Sequence, residues 1–341
     1  MSSASACSSG GGSTTYTGLR IASIFIILAT STAGALFPVL ARRTSLGIPK
    51  PVFEFAKYFG SGVIIATAFI HLLSPALGAL SSACLSDAWL QYPYALAIAL
   101  VSIFGIFIAE FAAFRIGTAR LKRMGMTTYD PHGHQAGGAH AAHGPEVAVS
   151  SDAEAQAIQK SAELESVEYT ARQDTLEYSA FAQLIGIAVL EFGVMLHSVL
   201  IGLTLAVDEN FRILFVVLIF HQTFEGLGIG SRLAFLDLPK HGTLIPVLAA
   251  IAYGLTTPIG IAAGLGVRTT YNPGTARASI VSGVLDATSA GILIYTGLVE
   301  LLAHEFIFSQ EMREASNAKV LYAIGCMMFG CGVMALLGRW A

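Results

Sequence analysis

Charge is what this sequence has least of. Only 12% of its 341 residues are Asp, Glu, Lys or Arg, about half the share of an ordinary soluble domain. Basic charge is not in excess either: 19 Lys and Arg stand against 22 Asp and Glu, a formal net charge of −3. No basic surface is implied, so nucleic acid is excluded as a partner. The first 18 residues lack a basic stretch followed by an early apolar run, so no cleaved signal peptide is expected. Rich in Ser and Gly, they read as a disordered tail. What is abundant is apolar: 54% of the residues are hydrophobic, and the mean hydropathy is +0.67. A soluble protein of this composition would lack the polar surface to stay dispersed. Soluble-enzyme and DNA-binding functions are therefore excluded, and the surrounding medium is a lipid bilayer.

A helix needs about 20 mostly apolar residues to cross the hydrocarbon core. Eight windows meet that requirement: Leu19–Leu40, Phe55–Ala79, Tyr92–Ile116, Phe181–Val207, Phe211–Ala234, Leu244–Val267, Ser279–Leu302 and Val320–Leu337. The predicted organisation is a tail (1–18), three helices (19–116), a long His-containing loop (117–180), two helices (181–234) and three more (235–341). Lys and Arg set the orientation. If the loop after every odd-numbered span faces the cytoplasm, only Arg20, Arg212, Arg268, Arg277 and Arg339 of the 19 basic residues lie outside. Both termini are then external. Cys7 and Cys84 fall on that outer face, where a disulfide and two separate thiols are both open. Cys326 and Cys331 read as small buried apolar residues of the last span.

Ionisable groups near the bilayer centre cost on the order of 3 kcal/mol even on a lenient scale. This chain nevertheless carries several. The fourth span holds Glu191, His197 and Ser198, and the fifth holds His221, Gln222 and Glu225. His221 and Glu225 are one helical turn apart and share a face. The fourth and fifth spans are joined only by Asp208–Asn210, which makes them antiparallel neighbours. His197 lies ten residues before Val207 and His221 ten after Phe211, so the two imidazoles are predicted at equal depth. Two imidazoles and one carboxylate suit Zn, Fe(II), Mn, Cu(II) or Ni better than Mg or Ca. Ser198 and Gln222 could add oxygen ligands or orienting hydrogen bonds. Gly226 and Gly230 form a small-residue face that permits close helix approach. Pro246 and Pro258 are candidates to interrupt the sixth helix and free backbone groups there. Glu110, Glu191, Asp286 and Glu300 are further acids inside the spans, to be paired within the bundle or used as a proton relay.

At these residues the sequence resembles the ZIP (Zrt/Irt-like) family of zinc and iron transporters, in particular its fungal and plant branch. His197-Ser198-Val199-x-Ile201-Gly202 looks like that family's helix-four signature, and His221-Gln222-x-Phe224-Glu225-Gly226 like its helix-five signature. The run from Lys57 to His71 is similar to its second helix. The resemblance implies an all-α membrane protein in a 3+2+3 bundle with inverted repeats. It implies uptake of Zn²⁺, with Fe²⁺ second, into the cytoplasm, and it leaves a homodimer open; the external termini suit import across the plasma membrane. Carried over position by position, it implies a metal site at His197, Ser198, His221, Gln222 and Glu225, with His71 on the same pathway near the outer mouth. Some relatives hold two metals, using acids at the positions of Ile201 and Thr257. Neither residue can serve as an anionic ligand here.

Pro131-His132-Gly-His134 and the following His140 and His143 place four histidines in a glycine-containing stretch of the long loop. This reads as a flexible metal-binding segment that collects the ion or senses cytoplasmic load. His304 and Glu305, at the inner end of the seventh span, are candidate exit ligands. They resemble half of a metalloprotease signature, but position 308 is Phe and the HExxH motif is absent. No catalytic residue or catalytic cofactor is therefore expected, and the divalent ion is substrate. The alternative function is a membrane sensor or receptor that binds zinc without moving it. With Ile201 and Thr257 in place of acids, one ion is predicted between helices four and five. Metal titration of the purified protein with the four loop histidines replaced by alanine should saturate at one ion per chain; a tightly coupled pair would contradict the reading.

Overall fold

A computed structural model describes residues 12–13, 15–43, 49–123, 186–236, 244–269 and 275–340. Among the described residues every regular element is helical, as hydrocarbon requires when no water is present to satisfy a free backbone group. Eight helices are long and apolar enough to span a bilayer: α1 (Thr17–Arg43), α2 (Lys50–Leu80), α3 (Tyr94–Arg123), α4 (Gly186–Val207), α5 (Phe211–Ala234), α6 (Ile245–Val267), α7 (Ala276–Phe308) and α8 (Asn317–Leu337). Each matches one of the windows predicted from the sequence. The largest difference at a helix end is in α3, which continues past Ile116 to Arg123. The apolar run stops there, but Ala, Leu, Lys and Arg keep the backbone helical beyond it. The loop histidines His132, His134, His140 and His143 lie outside the described residues, as does Cys7. Cys84 is disulfide-bonded, whereas Cys326 and Cys331 are free.

The burial pattern is that of a protein dissolved in lipid. Large apolar side chains such as Phe25, Val101, Phe104, Leu321 and Met328 face outward, while His197, Ser198, His221, Gln222 and Glu225 are buried. On α5 the contrast falls between neighbours: Phe220 is 50% exposed and His221 0%.

Helix α1 lies against both α5 and α6; α2 lies against α5, α7 and α8; and α3 lies against α7. Small residues permit these contacts. A Cβ on Gly230 would collide with the Ala35 carbonyl of α1, and one on Gly228 would sit 3.0 Å from the Gly60 carbonyl of α2. Gly202 and Gly260 bring α4 onto α6 in the same way. Gly193 brings α4 onto Ile292 and Leu293 of α7.

The prolines act differently from the sequence expectation, because α6 is continuous across both. Pro246 occupies the first turn, where its missing N–H would have had no partner anyway. Pro258 does release the carbonyl of Gly254, four residues earlier. That oxygen does not open onto a cavity, since it accepts a 3.2 Å hydrogen bond from Ser31 Oγ of α1. In α2 the turn Thr67–Leu73 widens to a π-helix just before Pro75. Such a widening accommodates the ring and the lost donor. A second π stretch, Thr296–Phe308, forms the end of α7.

Two arginines of α1 fasten the α4–α5 hairpin. Arg20 is fully buried. Its guanidinium donates to the carbonyls of Thr15 (2.8 Å), Leu205 (2.8 Å) and Asp208 (2.6 Å) and stacks on Phe211. At the other end Arg42 donates to the Ala234 carbonyl at 2.9 Å. The bonds to Leu205, Asp208 and Ala234 answer carbonyls at the C-terminal ends of α4 and α5 with a cation.

The close helix contacts give a direct expectation. Gly230→Val should lower stability by about 1–3 kcal/mol through overpacking. Gly105→Ala, whose added carbon meets nothing within 4 Å, should be neutral. Thermal unfolding of the two variants in detergent compares them.

Candidate metal centre

The hairpin of α4 and α5 builds the centre. Its turn is held by the Asp208 carboxylate, which accepts from the Asn210 N–H at 2.6 Å. From there both helices run back into the bundle, and the predicted equal depth of their histidines is realised. The rings of His197 and His221 lie 5.6 Å apart between centroids. His221 Nε2 is 3.3 Å from Glu225 Oε1, one turn further along α5. One ligand atom from each of His197, His221 and Glu225 falls within 4.8 Å of the others, and all three residues are buried.

The hydrogen-bond inventory makes this cluster unlike a structural polar patch. Among the described residues, both ring nitrogens of His197, both of His221 and both carboxylate oxygens of Glu225 lack a hydrogen-bond partner. Buried polar atoms are ordinarily satisfied, and each exception costs roughly 1–3 kcal/mol. A set of converging lone pairs kept in this condition is the arrangement a dehydrated cation would satisfy.

The remaining predicted ligands divide. Ser198 is fully buried and its Oγ also lacks a hydrogen-bond partner, which keeps it available beside His197. Gln222 has its amide turned toward α6. Its Nε2 donates to Thr257 Oγ1, and its Oε1 accepts from the Tyr253 hydroxyl at 2.8 Å. Lying about 100° around the helix from His221, Gln222 holds α5 to α6 in this structure. His71 is placed against the cluster itself. Its ring meets that of His221 edge-on, 4.6 Å between centroids, and its Nε2 is 2.9 Å from the Met334 carbonyl of α8.

His304 and Glu305 are not brought to the centre. His304 Nε2 lies 3.9 Å from Glu300 Oε1. Glu305 pairs with Arg232 of α5 and lies 3.5 Å from Lys57 Nζ of α2. Arg232 Nη2 also donates to Ser61 Oγ at 2.6 Å. Of the other acids inside the spans, Glu110 accepts from the Tyr295 hydroxyl at 2.5 Å, tying α3 to α7. Asp286 is the residue whose place the sequence did not assign: its Oδ1 is 3.6 Å from His197 Nδ1. The only signal for it was an acid at the middle of a membrane span.

Known proteins are similar to this chain over nearly its whole length. The profile described as "ZIP Zinc transporter" matches residues 17–338. A protein named Zinc-regulated transporter 1 from Schizosaccharomyces pombe is 41% identical, covering 96% of this chain and 86% of its own length. Zinc-regulated transporter 1 of Saccharomyces cerevisiae is 42% identical over 95% of this chain and 88% of its own. Zinc transporter 9 of Oryza sativa is 33% identical over 95% and 89% respectively. With the profile spanning all eight helices and similarity of this extent, the chain belongs to the ZIP zinc transporter family.

Proposed function

We propose that this protein carries Zn²⁺, with Fe²⁺ as the second substrate, across the plasma membrane into the cytoplasm. His197, His221 and Glu225 form the transport site. One observation carries the reading: three metal-ligating side chains converge inside the bundle with their lone pairs unused. Two imidazoles and a carboxylate match the ligand types of a Zn²⁺ site that keeps a further position open. An open position lets incoming and outgoing ligands exchange stepwise, as a carried ion requires. Relatives named as zinc transporters support the choice of metal.

Transport by alternating access is supported by the ionic bridge of Arg232, Glu305 and Lys57. Arg232 follows Glu225 by two helical turns, about 10 Å along α5. The bridge joins α2, α5 and α7 on that side of the centre. Two cations against one carboxylate leave the barrier positively charged, which opposes passage of a divalent cation until the helices separate. Once they do, Glu305 is released to act as an exit ligand. By the distribution of Lys and Arg this side faces the cytoplasm, both termini are extracellular, and the loop histidines receive the ion.

Helix pairing supports the inverted-repeat bundle. Exchanging α1 with α6, α2 with α7, α3 with α8 and α4 with α5 turns the α1–α5 contact into α6–α4. The same exchange turns α2–α8 into α7–α3. The two π stretches also fall on exchanged partners, α2 and α7.

The test is uptake of ⁶⁵Zn by zinc-starved cells and by vesicles containing the purified protein. Glu225→Ala should lower uptake at least 10-fold at equal surface expression, since the ion loses its only anionic ligand in the three-residue cluster. Undiminished uptake would remove Glu225 from the site. Zinc binding by wild type without flux into vesicles would overturn transport in favour of a receptor.

A further inference from the structure

Outside the three-ligand cluster, one charged group among the described residues faces a ligand of that cluster from a different helix. Asp286 of α7 is 9% exposed, and its Oδ1 lies 3.6 Å from His197 Nδ1. It is not a fourth ligand of the same point, because the ligand atoms that share a 4.8 Å neighbourhood belong to His197, His221 and Glu225. It stands on the far side of the His197 ring from a metal held through Nε2.

A neutral imidazole has one N–H and one lone pair, and only the nitrogen without the proton can bind a cation. In an apolar interior nothing sets which nitrogen that is unless an acceptor fixes the proton. Among the described residues the His197 ring has no other hydrogen-bond partner on either nitrogen. The carboxylate of Asp286 is thus placed to accept the Nδ1 proton after a shift of a few tenths of an ångström. The packing supports the placement. Gly193, one turn from His197 on α4, admits Ile292 and Leu293 of α7 against the backbone, so α7 approaches closely enough to present Asp286.

Resting on the transport site proposed above, we propose that Asp286 is a positioning residue that acts through His197. It holds the ring with its proton on Nδ1, so that Nε2 faces the ion together with His221 and Glu225. Replacing it should weaken the metal interaction only while His197 is present. A residue that merely filled space in the α4–α7 contact would act whether or not the imidazole were there.

The experiment is a double-mutant cycle on ⁶⁵Zn uptake kinetics in full-length protein at matched surface expression. Asp286→Ala should raise KM for Zn²⁺ by about 10- to 100-fold, the usual effect of losing a partner behind a metal-bound histidine. Asp286→Asn keeps a carbonyl oxygen able to accept from Nδ1 in nearly the same volume, so KM should stay within about 3-fold of wild type by this argument. In a His197→Ala background, Asp286→Ala should change KM less than 3-fold, because the interaction it removes is already gone. If His197→Ala leaves too little uptake to measure, Zn²⁺ dissociation constants of the purified variants complete the same cycle. Additive effects of the two alanine substitutions, or an Asn variant as impaired as the Ala variant, would overturn the inference. An undisturbed His197→Ala single variant would instead refute the site itself.

Discussion

The rest of this structure depends on a single constraint: in hydrocarbon, a polar group must find its partner within the protein. The consequence is visible at several helix-borne polar groups. Ser31 takes up the carbonyl that Pro258 leaves free, Tyr295 meets Glu110, and Tyr253 and Thr257 satisfy both ends of the Gln222 amide. Among the described residues, His197, His221 and Glu225 stand apart as the place where unpartnered buried atoms of three potential metal ligands converge.

Much of the fold and part of the site were legible in the sequence. The spans follow from apolar length, which the bilayer thickness sets directly. The relation of His221 to Glu225 is a local property of one helix, and the level of His197 follows from a turn too short to allow any other arrangement. What stayed hidden depends on rotation and approach between helices distant in sequence. Gln222 precedes and follows residues of the signature yet points to α6, and His71 reaches His221 through a widened turn of α2. Glu305 is engaged by Arg232 and Lys57, which lie on two other helices. No local period marks such partners. Asp286 was visible only as an acid without a function, and its proximity to His197 comes from how deeply Gly193 lets α7 approach.

Glycine and charge divide the structural work. Glycines bring the backbones of α1, α2 and α6 to within van der Waals contact of the α4–α5 hairpin, and this determines where the ligands point. Charged residues act at the helix ends. Arg20 and Arg42 occupy the terminal carbonyls there, and the Arg232–Glu305–Lys57 bridge joins helices that small residues alone would leave free to slide. The interior therefore combines close but non-directional packing with a few directional bonds near the ends.

Because Arg20 grips the hairpin turn while Arg42 grips the last carbonyl of α5, helix α1 behaves as a splint bound at top and bottom. A splint of this kind forbids α5 from tilting or sliding on its own. In the transport cycle proposed above, α1 and α5 would move as a single lever. In that cycle the slip plane would fall on the opposite flank of the cluster, where α2 and α7 carry their loosened turns.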